Sequence, residues 1–220
     1  MAENIWVPLL LTLKVVFWST GIACVGGVVA AYGLSRKDFW GRDWLDAICT
    51  LPLVLPPTVL GYYLIVCIGR NGFLGKWLEE VFGISLMFTW QGAVVAASVV
   101  SFPMVFKSAR AALESVPASY VHAARIMGAG EWEIFVRVTL PLAFRGVLAG
   151  TMLAFARAMG EFGATLMVAG NLPGRTQTLS LAVYSAVQAG NDTLANTLVL
   201  IVSFVCVVLL VVTGKLLTPR

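Results

Sequence analysis

The chain has 220 residues, of which 59% are hydrophobic and only 12% are charged, and its formal net charge is +4. A soluble globular domain carries about 25% charged residues, so this composition excludes an ordinary soluble domain and predicts an integral membrane protein. The basic charge is attributed to membrane topology, because no aromatic-basic nucleic-acid motif accompanies it.

Five apolar stretches are long enough to cross a bilayer core of about 30 Å, which requires about 20 helical residues. They are residues 9–34, 44–68, 84–106, 146–170 and 193–214. Five full-length spans leave little room for a soluble domain, so residues 1–220 are predicted to form one all-α membrane domain. The first residues, MAEN, lack the basic region of a cleaved signal peptide.

The second span is apolar apart from Asp46 and contains Pro52, Pro56 and Pro57. Proline has no backbone N–H, so carbonyl groups freed by it must be satisfied by neighbours or by a water-lined cavity. Pro56 and Pro57 are therefore candidates for a gate or for the lining of a transport path. A simple helix kink explains them equally well.

The Lys and Arg residues of the connections predict the orientation, since cytoplasmic loops are enriched in them. With five spans, one face carries Arg36, Lys37, Arg42, Lys107, Arg110, Arg125, Arg137, Arg145, Lys215 and Arg220. The other face carries only Arg70, Lys76 and Arg175. The first face is predicted to be cytoplasmic, with the N-terminus outside and the C-terminus inside.

The longest connection, residues 107–145, is predicted to contain a short helix over 115–128. Pro117 suits its first turn, and Gly128 suits the position just past its end, where a positive φ is required. Its apolar face consists of Val116, Tyr120, Ala123, Ala124 and Met127. Glu131 begins a second helical run whose less polar face comprises Trp132, Phe135, Val136 and Thr139. From these residues alone, a helix lying on the membrane and a partner-docking element are equally good interpretations.

The fourth span contains two charged residues, Arg157 and Glu161. At positions i and i+4 they share a helix face and can pair, which removes most of the cost of placing them in a bilayer. A structural ion pair is the simpler interpretation, and a contribution of Arg157 to an anion path is the alternative. Gly146, Gly150 and Ala154 form a row of small residues that predicts close helix packing.

The remaining features carry little chemistry. Residues 175–192 fit either an external loop or a helix on the outer surface. The cysteines, Cys24, Cys49, Cys67 and Cys206, lie in or beside apolar spans without a C-x-x-C pair, and are predicted to be packing residues. A P-loop is missing, because Gly75-Lys76 is preceded five residues earlier by Arg70 and followed by Trp77.

One motif in the long connection resembles a known family. Ala123-Ala124 are followed by three residues and Gly128, and nine further residues lead to Val138-Thr139-Leu140-Pro141. This spacing is similar to the loop motif of ABC-importer permeases, which is Glu-Ala-Ala, three residues, Gly, nine residues and Ile-x-Leu-Pro. His122 stands where that family usually has Glu, and Val138 replaces Ile.

The resemblance extends over nearly the whole chain. The stretches LPPTVLGYYL (55–64) and GEFGAT (160–165) resemble the oxyanion branch of these permeases, and residues 88–116 and 153–184 are similar to molybdate permeases. The family implies a type I importer permease fold and a docking role for the motif residues, which are His122, Ala123, Ala124, Gly128, Val138, Leu140 and Pro141. It also implies a second permease copy, two ATPase subunits that bind ATP and magnesium, and an external substrate-binding protein.

The function predicted from the sequence is the permease of an ATP-driven oxyanion importer, with molybdate as the expected substrate. Tungstate or sulfate is the alternative within the family. A stand-alone channel or ion-driven carrier is an alternative of another class, and a membrane enzyme is disfavoured because the spans lack a catalytic set of residues. ATP hydrolysis is assigned to a partner subunit, and no cofactor is expected in this chain.

Overall fold

A computed structural model describes residues 5–35 and 39–217, and every regular element within these ranges is a helix. The predicted all-α class is confirmed. The helices are α1 (Trp6–Ser35), α2 (Arg42–Val54), α3 (Pro57–Ile68), α4 (Phe73–Phe82), α5 (Trp90–Glu114), α6 (Ala118–Ile126), α7 (Glu131–Ile134), α8 (Leu140–Met159), α9 (Gly163–Ala169), α10 (Leu179–Gln188) and α11 (Asp192–Leu217). A π-helical segment, Phe135–Thr139, joins α7 to α8. Arg36, Lys37 and Arg220, which entered the orientation prediction, lie outside the described residues.

The core is built where α1 and α8 pack along α5. Small residues allow this close approach: a Cβ added to Gly146 or Gly150 would lie 2.4 or 2.6 Å from the Cβ of Ala112 or Ser108 on α5. Ala154, the third member of the small row, is fully buried. The packing role predicted for this row is confirmed.

The region predicted as one span over 44–68 consists instead of two helices, α2 and α3, bent by 117° relative to each other. The break lies at Leu55 and Pro56, and Pro57 begins α3. Two successive residues without an N–H cannot continue the hydrogen-bond ladder of α2, whereas proline is well suited to a first helical turn. The pair is therefore either a broken span or a re-entrant element.

The apolar run 146–170 is also interrupted. Helix α8 ends at Met159, and α9 begins only at Gly163. Conversely, the helical run Glu131–Met159 is 29 residues long and apolar enough to cross a membrane, as are α1 and α5. The connection expected over 107–145 is correspondingly shorter, because α5 continues to Glu114 and α8 starts at Leu140. Charged residues near the end of α5 extend the helix beyond its apolar part, since Arg, Lys and Glu are good helix formers.

Residues 175–192, which fitted either a loop or a surface helix, contain the helix α10. Leu179, Leu181, Ala182 and Ala186 of this helix are buried, and the backbone N–H of Leu179 donates to the Thr12 hydroxyl of α1 at 2.8 Å. Helix α10 packs against α11, which contains the predicted span 193–214.

The basic connections meet at one end of the molecule, which is called the charged end here. Lys107 Nζ lies 2.6 Å from Asp46 Oδ2, and Arg42 Nη2 lies 2.8 Å from Glu114 Oε1. The hydroxyl of Tyr32, near the end of α1, donates to the carbonyl of Glu131 at 3.4 Å. Two of the segments expected to share a face, the first loop and the long connection, therefore do share one.

Candidate docking segment and intramembrane ion pair

Helix α6 is shorter than predicted. It spans Ala118–Ile126 rather than 115–128, because Ser115 closes α5 and Pro117 adopts an extended conformation before the first turn. The carbonyl of Pro117 accepts the backbone N–H of Tyr120 at 3.2 Å, so Pro117 is the N-cap residue rather than a member of the helix.

Gly128 ends this helix with a φ of +84°. The Ala129 N–H donates to the Ala124 carbonyl at 3.1 Å and the Gly128 N–H donates to the Arg125 carbonyl at 3.0 Å, which is a Schellman-type closure. The predicted positive φ is confirmed. A Cβ added to Gly128 would meet no atom within 4 Å, so the requirement for glycine is conformational rather than steric.

The predicted apolar face of α6 is divided between the inside and the outside. Ala124 is buried and Val116 is half-buried, whereas Ala123 is exposed. Ile126 and Met127 are 88% and 81% exposed. An exposed apolar patch marks a contact with another protein or with the membrane surface. The term docking surface is used below for the exposed residues Tyr120, Ala123, Ile126, Met127 and Trp132.

His122, the departure from the family motif, is exposed and lines a cleft of about 340 Å³ between α6 and the ends of α1 and α5. Glu114 and Arg125 line the same cleft. The motif position that usually holds an acid thus lies close to an acid of α5 in this chain.

The second half of the motif lies within a continuous helical run. Phe135 and Thr139 are buried, while Trp132 and Val136 are exposed, so the expected face of this run is divided as well. The ring of Phe135 packs on Tyr32 of α1 with centroids 4.0 Å apart. This contact fixes the start of the run against α1.

Pro141 does not mark a return from a loop, as the sequence had suggested. It lies in the first turn of α8, directly after the π-helical segment, where the Leu140 N–H donates to the carbonyl of Phe135 five residues earlier. The wider turn accommodates a proline that would otherwise clash with the preceding turn. Val138 and Leu140 are half-buried, and Pro141 is exposed.

An ion pair spans the turn at Gly128. Arg125 Nε lies 2.7 Å from Glu131 Oε1, and Arg125 Nη2 lies 3.3 Å from Glu131 Oε2. The hydrogen bond and the charge of Glu131 raise the pKa of the Arg125 guanidinium above its ordinary value. The bidentate contact links α6 to α7, and so connects the docking surface to the helical run 131–159.

Arg157 and Glu161 form the predicted pair, with Arg157 Nη1 2.9 Å from Glu161 Oε2. The Glu161 side chain is only 2% exposed, and its other oxygen accepts the Ala164 N–H at 2.8 Å, which caps the start of α9. Arg157 is 30% exposed. Both carboxylate oxygens have donors, which is what a buried charge requires.

The two interrupted helices touch at their breaks. A Cβ added to Gly163 would lie 2.9 Å from the Cβ of Pro57, so these backbones approach closely. Pro57 follows the break between α2 and α3, and Gly163 follows the break that contains Glu161. The structure thus brings the predicted gate residue Pro57 next to the Glu161 region, although the two lie far apart in the sequence.

Two polar groups of residues were missed by the sequence analysis. Asp46 forms ion pairs with both Lys107 and Arg110 of α5. At the opposite end, Asn171, Gln177 and Ser185 form a hydrogen-bonded cluster that lines a cleft of about 530 Å³. For Asp46 the sequence offered a weak indication, because an acid at the edge of an apolar span is unusual. For the cluster of Asn171, Gln177 and Ser185 it offered none, since uncharged polar residues are common in loops.

The comparison with protein families decides the identity. The model of the binding-protein-dependent transport system inner membrane component matches residues 23–219. The chain belongs to this family. The permease is therefore an inner-membrane transport component rather than an enzyme, and the resemblance seen in the sequence is confirmed.

Curated relatives support the same assignment. The molybdenum transport system permease protein ModB of Escherichia coli K12 is 46% identical over 183 residues, covering 83% of the permease and 80% of the relative. ModB of Haemophilus influenzae is 47% identical, covering 78% and 73%. The sulfate transport system permease protein CysW of Synechococcus elongatus is 36% identical, covering 97% and 74%.

Solved structures show the fold. The methionine ABC transporter MetNI, in an inward-facing conformation, contains a chain that superposes with a TM-score of 0.73 at 20% identity, covering 99% of the permease and 98% of that chain. A chain of a bacterial alginate ABC transporter superposes with a TM-score of 0.75 at 15% identity, covering 98% and 79%. The type I importer permease fold expected from the sequence is confirmed.

Proposed function

We propose that this permease carries molybdate into the cytoplasm as the membrane subunit of an ATP-driven importer. The observation that carries the proposal is the docking surface on α6, with its exposed Ile126 and Met127, held by the Gly128 turn at the charged end. The names of relatives at 46% and 47% identity favour molybdenum transport, whereas a sulfate permease is 36% identical. Sulfate and tungstate are the alternative cargoes.

The working assembly has two copies of the permease, two ATPase subunits on the docking surfaces and a binding protein at the opposite end. The charged end faces the cytoplasm, with the N-terminus outside and the C-terminus inside. This orientation is supported by the basic residues at the charged end and by the position of the docking surface there. An external binding protein is supported by the alginate transporter, which was solved with a bound periplasmic protein.

Coupling follows from the continuity of the helical run from Glu131 to Met159. A run of 29 residues is about 44 Å long at 1.5 Å per residue, so it reaches across a bilayer. Movement of the docked ATPase shifts α6, and the Arg125–Glu131 pair passes the shift to this run. Its far end adjoins the break at Glu161, which packs on the break at Pro57. Opening and closing where these two breaks meet provides alternating access.

In this mechanism, the Arg157 side chain attracts the anion. Only one of its N–H groups is committed to Glu161 by a hydrogen bond of 2.9 Å, and its side chain is 30% exposed. Guanidinium carries five donors in a planar array that suits oxyanions. One arginine attracts an anion without holding it tightly, and specificity is left to the external binding protein.

The test compares Gly128→Ala with Gly130→Ala in the permease reconstituted with its ATPase and binding protein. Gly128 has a φ of +84° and Gly130 has a φ of −70°, and neither has a neighbour within 4 Å of an added Cβ. A left-handed residue with a side chain costs about 1–2 kcal/mol. We expect Gly128→Ala to reduce ATPase co-purification and ATP-driven molybdate uptake several-fold, and Gly130→Ala to leave both unchanged.

Two results would contradict the proposal. If the two variants showed the same ATPase co-purification and the same molybdate uptake, the Gly128 turn would have no role in docking. Uptake by the permease alone, without ATP, would identify a channel or carrier instead. Competition with sulfate and tungstate in the same assay distinguishes the alternative cargoes.

A further inference from the structure

A cleft of about 330 Å³ opens on the surface of the permease between α1, α2 and α5. Its walls include Ile22 and Gly26 of α1, Ile48 and Cys49 of α2, and Val99 and Phe102 of α5. The name acyl cleft is used for this site. Neither the docking surface nor the contact between the helix breaks includes any of these residues.

The lining of the acyl cleft is mainly apolar. Ser98 is the one hydroxyl residue on its wall, and its hydroxyl donates to the Val94 carbonyl at 2.7 Å. A bound water needs two to four polar partners, so this lining favours an apolar occupant. Gly26 lies nine residues before the end of α1, about 14 Å from the charged end along the helix, which is within the hydrocarbon region.

The size of the cleft favours an acyl chain over a helix as its occupant. A helix with its side chains is about 10–12 Å across and rises about 5.4 Å per turn, so a space of about 330 Å³ is smaller than one helical turn. A single acyl chain is much thinner. The helix of a second copy could cover the cleft but could not enter it.

A cation lies next to the cleft on the side of the charged end. Lys107 Nζ is 2.6 Å from the Asp46 carboxylate, and Asp46 precedes Cys49 by three residues, about one turn, on α2. An ammonium group has three donors, and Asp46 accepts one of them. Lys107 is 44% exposed, so its remaining donors are accessible to a phosphate.

We propose that the acyl cleft binds one acyl chain of an anionic phospholipid from the leaflet at the charged end, with the lipid phosphate on Lys107. Such a lipid fills the space between α2 and the α1–α5 core. Helix α2 contributes no fully buried residue to the protein, so a lipid in this position supplies packing that the chain itself lacks.

The experiment uses the permease–ATPase complex in vesicles that contain phosphatidylglycerol or phosphatidylcholine with a diazirine on the acyl chain. Photolabelling should modify the peptides that carry residues 48–52 and 99–102. Gly26→Leu fills the cleft, because a Cβ on Gly26 would lie 3.6 Å from the Phe102 ring. We expect it to reduce labelling at least fivefold. Gly21→Leu, on the same helix with no neighbour within 4 Å, should label as the parent protein does.

The headgroup is tested with the same two lipids. Phosphatidylglycerol should label the cleft more strongly than phosphatidylcholine, and Lys107→Gln should abolish the difference. Val99→Phe is a second filling variant in case Gly26→Leu fails to assemble with the ATPase. Three results would overturn the proposal. They are undiminished labelling in the variants that fill the cleft, equal labelling by the two lipids, and formation of a Cys49–Cys49 disulfide between two copies on oxidation.

Discussion

Glu161 shows how a charged residue is maintained inside a membrane protein. Its carboxylate is 2% exposed and receives two donors, the guanidinium of Arg157 and the N–H of Ala164. The second donor belongs to the first turn of α9, so Glu161 also closes the helix break. These contacts are those of a structural ion pair, and the role proposed for Arg157 in attracting the anion requires only the donors that Glu161 does not use.

Charge-neutral variants separate the structural role of this pair from the transport role. Arg157→Gln leaves a buried carboxylate unpaired, and we expect a loss of about 3–5 kcal/mol, whereas Glu161→Gln leaves a partly exposed guanidinium and should cost less. The double variant should regain most of the thermal stability in detergent, because glutamines at i and i+4 can hydrogen-bond. Molybdate uptake should remain low in the double variant. Recovery of both properties would show that Arg157 does not serve the anion.

Local spacing allowed two features to be predicted at the residue scale. The Arg157–Glu161 pair is separated by four residues, and the φ of Gly128 follows from its place after a helix. Asp46 was not predicted as an ion-pair hub, since Lys107 and Arg110 lie 61 and 64 residues away. A pattern along one helix cannot indicate partners that only the packing of α2 on α5 brings together.

Among the elements, the helical run 131–159 departs most from the sequence prediction. Leu140-Pro141 looked like the end of a loop because proline usually breaks a helix. The π-helical turn at Phe135–Thr139 resolves the conflict by adding one residue ahead of the proline. Packing of Phe135 on Tyr32 holds the turn in place, and this contact joins residues that are distant in the sequence. Hydropathy alone therefore could not predict the continuity of the run.

Removal of Pro141 should alter coupling more than folding. Pro141→Ala restores an N–H and allows the π-helical turn to become α-helical, which shifts α7 by one residue, or about 100°. That shift disrupts the Arg125–Glu131 pair and the Phe135–Tyr32 contact. We expect the ATPase still to co-purify, while molybdate uptake per ATP hydrolysed falls several-fold.

Leu142→Ala is the matched control, since Leu142 is exposed in the same turn and its substitution leaves the backbone donors unchanged. It should transport with the parent stoichiometry. Unchanged coupling in Pro141→Ala would show that the π-helical turn is not needed for transmission.

In the whole molecule, the apolar runs predicted where helices lie but not where they break. The break at Pro56 follows from two adjacent prolines, whereas the break after Met159 depends on Glu161 turning back to cap α9. The contact between the breaks, Pro57 on Gly163, could not be predicted without the tertiary structure. The charged end was foreseeable from the distribution of Lys and Arg, because electrostatics during membrane insertion acts on whole connections rather than on single contacts.

The orientation is testable from the two ends of the molecule. Met127 lies on the docking surface and is 81% exposed, while Arg175 is exposed in the connection before α10 at the opposite end. In a background lacking the exposed Cys67, and in cells without the ATPase subunit that would cover the docking surface, Met127→Cys should react with a membrane-impermeant maleimide only in inside-out vesicles. Arg175→Cys should react only in intact cells or right-side-out vesicles, because Lys- and Arg-rich connections are preferentially retained in the cytoplasm. The reverse pattern would place the docking surface outside, where no ATP is available, and would contradict the importer mechanism.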